Sequence, residues 1–144
     1  MATSIRKAES SDFESVYQFV CQLQNKVFVK QQLKLLYEEN IAKKDNIYLV
    51  AVQDDLLIGY LSCHIQLLLH HAGKVAEIQE MFVLTPYRNQ GVGKSLIDEI
   101  KRITKNQGVL QLEVTTRVVR EKAIEFYKRE SFKDSHKKLV YYFQ

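Results

Sequence analysis

The chain has 144 residues, of which 46% are hydrophobic and 26% charged, and its formal net charge is +4. This length suits one well-cored domain and is too short for two ordinary ones, so we expect a single domain over residues 1–144. The longest apolar runs are far below membrane-spanning length, which argues against an integral membrane protein. Cys21 and Cys63 lack paired spacing, and no signal-peptide pattern opens the chain. We therefore expect a cytoplasmic protein without disulfides.

The positive charge is concentrated in the second half of the sequence. Lys and Arg number 7 against 8 acidic residues in residues 1–72, but 14 against 9 in residues 73–144. No basic run is interleaved with stacking aromatic residues, so nucleic acid is not an expected partner. The excess surrounds a glycine-bearing loop instead, which favours a phosphorylated ligand.

The first third of the chain predicts a strand and two helices. An apolar-alternating run at residues 5–8 indicates a strand, and Ser11-x-x-Glu14 is typical of the capping box that opens a helix. A second helical stripe stops at the polar turn of residues 43–46. The apolar stripes of the two helices are Phe13, Val16, Tyr17 and Val20, then Leu33, Leu36, Tyr37 and Ile41.

The middle of the chain predicts a hairpin. Residues 47–52 and 56–69 indicate two antiparallel strands joined at the turn Asp54-Asp55. Gly59 interrupts the second strand, which suggests a bulge or a close backbone approach.

The second half of the chain adds three strands and two helices. Residues 76–83 predict a strand, residues 91–106 a helix with Gly108 at a left-handed cap, and residues 110–114 a half-buried strand. Because helix-period and strand-period segments alternate, we expect an α/β or α+β fold. The end of the chain predicts a helix with Ala123, Phe126 and Tyr127 on one face, then a strand at residues 139–143.

An arginine- and glycine-bearing loop joins strand 76–83 to the next helix. Backbone N–H groups at a helix start lack intrahelical partners and favour an anion, which Gly91 and Gly93 would allow close to the backbone. A Walker loop would need glycine where Arg88 stands, and a dinucleotide fingerprint would need glycine where Leu96 stands. Taken alone, the loop could also be an ordinary strand-to-helix turn.

The motif Arg88-x-x-Gly91-x-Gly93 and the order of elements resemble the GCN5-related N-acetyltransferase (GNAT) superfamily over nearly the whole chain. The segment from Arg120 to Phe132 occupies the register of the superfamily signature Asn-x-x-Ala-x-x-Phe-Tyr-x-x-x-Gly-Phe, with Arg120 and Ser131 replacing asparagine and glycine. The resemblance implies a mixed, mostly antiparallel sheet flanked by about four helices, and acetyl-CoA as cosubstrate. The residues that it assigns to acetyl-CoA are Met81, Phe82, Val83, Arg88, Asn89, Gln90, Gly91, Val92, Gly93, Lys94, Ser95, Arg120 and Phe126.

Acetylation of an amine needs a base, donors for the oxyanion and an acid for the leaving thiolate. Glu77 stands at the offset where histone acetyltransferases of the superfamily place their base, and Glu80 is the other candidate. A carboxylate held in solvent or in an ion pair is the structural alternative for either. Tyr127 matches the position whose phenol protonates the thiolate, but a Phe-Tyr pair on a helix is also typical of a core. The resemblance to the superfamily also implies that backbone N–H groups at residues 81–83 hold the oxyanion.

A narrower resemblance concerns the acceptor. The run His64, His70-His71, then Glu77 to Glu80 is similar to aminoalkylphosphonate N-acetyltransferases, which share Arg120 and a Ser135-His136 pair. It implies an aminoalkylphosphonate acceptor and a divalent metal, and the substrate-binding candidates are His64, Arg117 and His136.

Other functions stay open from the sequence. A polyamine, an aminoglycoside or a protein N-terminus is an alternative acceptor, and a non-catalytic acyl-CoA sensor is an alternative function. The expected partner is a small-molecule amine. A homodimer is left open, and neither nucleic acid nor a membrane is expected.

Overall fold

Helices and strands alternate along the chain in the computed structural model, which describes residues 2–144. The strands are β1 (Ser4–Lys7), β2 (Asn46–Gln53), β3 (Leu56–Leu68), β4 (Gly73–Val83) and β5 (Gln111–Val114). The helices are α1 (Phe13–Gln24), α2 (Lys30–Ile41), α3 (Val92–Asn106) and α4 (Glu121–Arg129). One sheet has the order β1-β2-β3-β4-β5, antiparallel except for the parallel pair of β4 and β5. The predicted mixed, mostly antiparallel sheet with four helices is confirmed.

The two faces of the sheet are covered by different helices. Strand alternation sends Leu49 and Ala51 of β2 into a core with α3 and α4, and Tyr48 and Val50 into a core with α1 and α2. We call these the α3 face and the α1 face. Because both faces are covered, most side chains of the central strands are nearly inaccessible to water.

Gly59 combines a bulge with a close approach, as its place in the strand predicted. Ala51 pairs with Gly59 but Val52 pairs with Leu57, so one residue of β3 is extra. A Cβ atom at Gly59 would lie 3.3 Å from the Cβ of Ala51 and 3.3 Å from a methyl group of Leu96. A side chain there would therefore push α3 away from the sheet.

The predicted capping box of Ser11 and Glu14 is wrong. The capping box instead joins Glu9 and Asp12, around a 3-10 turn that precedes α1. The Glu9 N–H donates to the Asp12 carboxylate at 2.7 Å, and Arg6 donates two hydrogen bonds to it at 2.8 and 2.9 Å. The Arg6 guanidinium lowers the pKa of Asp12 below its ordinary value. This ion pair with β1 decides which residue caps, and a local pattern cannot reveal it.

The predicted strand at residues 139–143 is also wrong. Residues 133–144, which we call the tail, form neither helix nor strand. Leu139, Tyr141 and Phe143 are 92%, 81% and 90% exposed. A strand needs partners for its N–H and C=O groups, and β-forming side chains do not supply them.

Both cysteines of the chain are free thiols: Cys21 is half-buried and Cys63 is buried. Among residues 2–144, every helix is too short or too polar to cross a bilayer.

We expect Ser131→Gly to stabilise the protein. Ser131 has φ +75°, a left-handed conformation that costs an L residue about 1–2 kcal/mol, whereas the extra flexibility of glycine costs about 0.5–1 kcal/mol. The free energy of unfolding in urea should rise by about 0.5–1 kcal/mol. Ser15→Gly, in the right-handed backbone of α1, is the control and should gain nothing. Equal changes in the two variants would contradict this account.

Candidate active site

A register shift between β3 and β4 determines where the side chains of the site point. Ser62 pairs with Glu80, but the next residue, Cys63, pairs with Ile78, so Gln79 is extra. Before the bulge, Ile78 packs in the core of the α3 face. After the bulge the alternation is reversed, and Glu80 lies on the α1 face.

A cavity of about 220 Å³ opens between the α1 face and helices α1 and α2. The helices supply an apolar wall and the strands supply a polar one. Glu80 is the only carboxylate that lines the cavity, and neither Lys nor Arg lines it within residues 2–144. The helices contribute Phe13, Val16, Val20, Leu33, Leu36, Tyr37 and Asn40, and the strands contribute Tyr48, Tyr60, His64, Gln79 and Glu80.

Hydrogen bonds from β3 orient the Glu80 carboxylate. The Tyr60 hydroxyl donates to Glu80 Oε1 at 3.0 Å, and the Ser62 hydroxyl donates to the same oxygen in a very short contact. The Glu80 N–H donates back to Ser62 Oγ at 3.1 Å. Burial and the charge of Glu80 raise the pKa of Tyr60 well above its ordinary value, so its hydroxyl stays a donor.

His64 lies beside this carboxylate as a neutral imidazole. Burial lowers its pKa from the ordinary value, and the positive charge of Lys43 lowers it further, against the opposing charge of Glu80. Its Nε2 lies 3.1 Å from the hydroxyl of Tyr48. Burial raises the pKa of Tyr48, so that hydroxyl is the donor and Nε2 accepts.

Glu77 occupies different surroundings. Its Oε2 accepts a hydrogen bond at 2.8 Å from the hydroxyl of Thr115, just beyond β5. It is not among the residues that line the cavity. The two glutamates that the sequence left open as bases are therefore separated, and only Glu80 faces the cavity.

β4 continues past the end of its parallel partner. Pairing with β5 runs only from Val75 to Ile78, opposite residues 111–114. β4 extends to Val83. Residues 79–83 therefore have no partner strand on the β5 side among residues 2–144, and their backbone groups on that side remain available.

The start of α3 adjoins this unpaired length of β4. Gly91 is the N-cap with φ +84°, and a Cβ atom on it would meet nothing within 4 Å. The first amides of the helix have no intrahelical partner, and the helix dipole favours negative charge beside them. Arg88 Nε donates to the carbonyl of Val83 at 2.7 Å, which holds the side chain at the end of β4. The arrangement can accept an anion over α3 while a chain extends along β4.

The other predicted loop residues differ in what they can contribute. Val92 is 4% exposed and packs in the core, so only its backbone can reach a ligand. Asn89 has φ +61°, and Gln90 Nε2 donates to a loop carbonyl at 3.1 Å. Lys94 forms ion pairs with Asp98 and Glu130. Ser95 closes the first turn with an N–H bond to the Gly91 carbonyl at 3.0 Å.

Helix α4 packs near the unpaired end of β4, on the α3 face of the sheet. A Cβ atom on Gly93 would lie 3.3 Å from the ring of Phe126 and 3.8 Å from the terminal methyl of Met81. Gly93 thus serves helix packing as well as the open helix start. Tyr127 is buried beside Phe126 and Phe132, with ring centroids 5.3 and 5.6 Å apart. Burial raises the pKa of Tyr127 to about 12, so its phenol is protonated at neutral pH.

Three predicted residues do not reach the cavity. Arg120 is the N-cap of α4, and its N–H donates to the Arg117 carbonyl at 3.0 Å in the turn after β5. His136 lies in the tail, where its Nδ1 is 2.7 Å from the Ser135 hydroxyl. Of the predicted acceptor residues, only His64 lines the cavity.

Tyr60 and Ser62 also belong to the site, although the sequence did not predict them as site residues. With His64 they follow a period of two along β3 and share the face that carries Glu80. Polar residues at alternate positions of an otherwise apolar strand were the available signal. The divalent metal implied by the narrower resemblance finds no ligand set, since no three His, Cys, Asp or Glu side chains of residues 2–144 come together.

Comparison with known proteins identifies a family. Residues 7–132 match the Acetyltransferase (GNAT) family. The aminoalkylphosphonate N-acetyltransferase of Salmonella typhimurium is 33% identical over 132 residues, which cover 92% of this chain and 86% of that protein.

Solved structures show the same fold. A transcriptional regulator from Bacillus halodurans superposes with a TM-score of 0.90 at 24% identity, over 99% of this chain and all of the other. An aminoglycoside N-acetyltransferase in complex with CoA gives a TM-score of 0.89 at 19% identity, over 99% of this chain and 95% of that protein.

We expect Gly91→Ala to weaken CoA binding at least about tenfold, because strain and a methyl group would disturb the open helix start. Gly108→Ala is a matched control: Gly108 follows the other end of α3, has φ +78°, and also has open space around a Cβ. Both variants should lose similar stability, about 1–2 kcal/mol. Calorimetric titration with CoA should separate them. Equal CoA affinities would place the diphosphate elsewhere.

Proposed function

The chain belongs to the GNAT acetyltransferase family and is an N-acetyltransferase, and we propose that it acetylates the primary amine of a small molecule bound in the cavity beside Glu80. One observation carries this proposal. Within residues 2–144, the only carboxylate that lines the cavity lies on β4 directly before residues 81–83, which have no partner strand on the β5 side. A base and backbone donors for an oxyanion are thus adjacent in the chain.

The donor substrate in this family is acetyl-CoA. Its diphosphate fits the start of α3, where free amides and the helix dipole favour negative charge. Its pantetheine arm can pair with the open side of β4, as an added strand would. The acetyl group would then come to the bulge, with its carbonyl oxygen toward the backbone amides there.

Glu80 and Tyr127 then supply the two proton transfers that acetylation of the amine requires. Glu80 takes a proton from the bound ammonium, directly or through one water. The free amine forms a bond to the thioester carbonyl carbon, and the C–S bond breaks as the tetrahedral intermediate collapses. The CoA thiolate takes a proton from the phenol of Tyr127, whose pKa of about 12 keeps it in the donor form.

An aminoalkylphosphonate is the acceptor that we propose, supported by the similarity to the Salmonella enzyme. The ammonium end of such a zwitterion suits Glu80. The phosphonate end would stay toward the His64 side of the cavity, which feels the positive charge of Lys43. The amide of Asn40 is a neutral donor within the same cavity.

The charge of the cavity favours a second candidate, a diamine or polyamine. Neither Lys nor Arg lines the cavity in the described part of the chain, and the imidazole of His64 is held neutral. A dianion drawn fully inside would lose its hydration without a paired cation. A cationic acceptor would meet the carboxylate of Glu80 instead.

We expect Glu80→Gln to lower kcat by about 10²–10⁴-fold, the usual range for a general base. Glu77→Gln is the matched control on the same strand, and it should retain most of its activity because its amide can still accept the Thr115 hydrogen bond. Affinity for acetyl-CoA should be unchanged in both variants. A larger loss in Glu77→Gln would assign the base to Glu77.

The acceptor is tested by comparing 2-aminoethylphosphonate with spermidine. We expect a higher kcat/KM for the phosphonate, and His64→Ala should raise its KM while leaving the KM of acetyl-CoA unchanged. A higher kcat/KM for spermidine would favour the polyamine candidate. Acetylation of either amine would still agree with the N-acetyltransferase activity of the family.

A further inference from the structure

The cavity beside Glu80 has an apolar side that the proposed chemistry does not use. Five side chains at helical spacing on α1 and α2 form it, and we call them the apolar wall: Phe13, Val16, Val20, Leu33 and Leu36. Val20 and Leu33 are half-buried, and Leu36 is 54% exposed. Hydrocarbon surface therefore remains uncovered on the helical side of the cavity, opposite the strands.

The polar side chains that line the cavity are mostly engaged with other groups of the protein. Three phenols line it, and each donates its hydroxyl internally. The donors are Tyr37, Tyr48 and Tyr60, and their acceptors are the Glu9 carbonyl, His64 and Glu80. The amide of Asn40 donates to the Leu36 carbonyl at 2.8 Å, and that of Gln79 to the Glu77 carbonyl at 3.3 Å. Both hydroxyls that reach Glu80 bind its Oε1, which leaves Oε2 for an acceptor.

One charge of an acceptor finds a partner in this cavity, and a second charge does not. Within residues 2–144, Glu80 is the only carboxylate that lines the cavity, and neither Lys nor Arg lines it. An ammonium group can pair with Glu80. A second ammonium, or a phosphonate drawn inside, would lose its hydration without a partner of opposite charge. A hydrocarbon group carries no such cost and gains from leaving water.

We propose a further activity, the acetylation of primary amines whose other end is a hydrocarbon group bound by the apolar wall. The inference rests on the proposed transfer beside Glu80 and adds an acceptor class to it. The N–C bond forms at the thioester carbonyl, the C–S bond breaks, and Glu80 takes one ammonium proton and releases it to water. The CoA thiolate takes the phenol proton of Tyr127, and the second proton lost by the nitrogen restores the phenol. The products are an N-alkylacetamide and CoA.

The volume of the cavity limits the size of the hydrocarbon group. At roughly 30 Å³ per heavy atom, the share of a water molecule in the liquid, the cavity of about 220 Å³ holds about seven heavy atoms. Hexylamine has this size. Each methylene that leaves water for the apolar wall favours binding by a factor of up to about four.

Turnover of linear alkylamines tests the activity. Ethylamine, butylamine, hexylamine and octylamine carry the same ammonium group, so differences in kcat/KM report the hydrocarbon part. We expect kcat/KM to rise about two- to fourfold per methylene from ethylamine to hexylamine, and to level off at octylamine, which exceeds the cavity volume. A value that stays flat or falls from ethylamine to hexylamine overturns the proposal, and so does the absence of turnover.

Two adjacent leucines test where the hydrocarbon group binds. Leu36 belongs to the apolar wall, whereas Leu35 is 63% exposed and is not among the residues that line the cavity. Leu36→Asn should lower the ratio of kcat/KM for hexylamine to that for ethylamine at least about threefold. Leu35→Asn is the matched control on the same turn of α2, and it should keep the wild-type ratio. Equal ratios in the two variants overturn the proposal.

Glu80→Gln distinguishes a failure of this inference from a failure of the proposed function. If kcat/KM does not rise with chain length, but Glu80→Gln still slows acetylation of 2-aminoethylphosphonate, the inference fails and the proposed function stands. If kcat/KM rises with chain length and Glu80→Gln does not slow the reaction, the apolar wall is supported and Glu80 is not the base.

Discussion

The extra residue at Gln79 is the constraint on which both halves of the site depend. In a regular ladder, Glu80 would point with Ile78 into the apolar core under α3. A carboxylate buried there without partners would cost several kcal/mol. The bulge turns Glu80 toward Tyr60 and Ser62, and it lets Met81 pack on the other face against α4. One irregular residue therefore places Glu80 on the cavity side of the sheet and Met81 on the α3 face.

Polar side chains of β3 compensate for the burial of the Glu80 carboxylate. Tyr60 and Ser62 are nearly inaccessible to water, yet their hydroxyls donate to Glu80, and Tyr48 donates to His64. Within residues 2–144 no buried side-chain nitrogen or oxygen lacks a partner. Hydrogen bonds of this kind hold the Glu80 carboxylate in one orientation, which is the preorganisation that its proposed role as a base requires.

Periodicity predicted the architecture because most elements bury one clear face. The stripe of Val92, Leu96 and Ile100 in α3 packs as its spacing indicated, and Gly108 takes the predicted left-handed cap. Interactions between residues far apart in the sequence determine the features that periodicity did not predict. The ion pair with Arg6 holds the Asp12 carboxylate in the capping box, and the bulge places Glu80, not Glu77, on the face that lines the cavity. The strand predicted at residues 139–143 was wrong because β-propensity does not indicate whether a strand edge is available for pairing.

Within residues 2–144, the open side of β4 and the outer edge of β5 are two unpaired lengths of strand whose surroundings differ. The open side of β4 lies beside the start of α3, where free amides favour a phosphorylated molecule. The outer edge of β5 borders a groove that mixes apolar side chains with those of Lys101 and Lys105. β5 is only 4 residues long, which limits uncontrolled association through its edge.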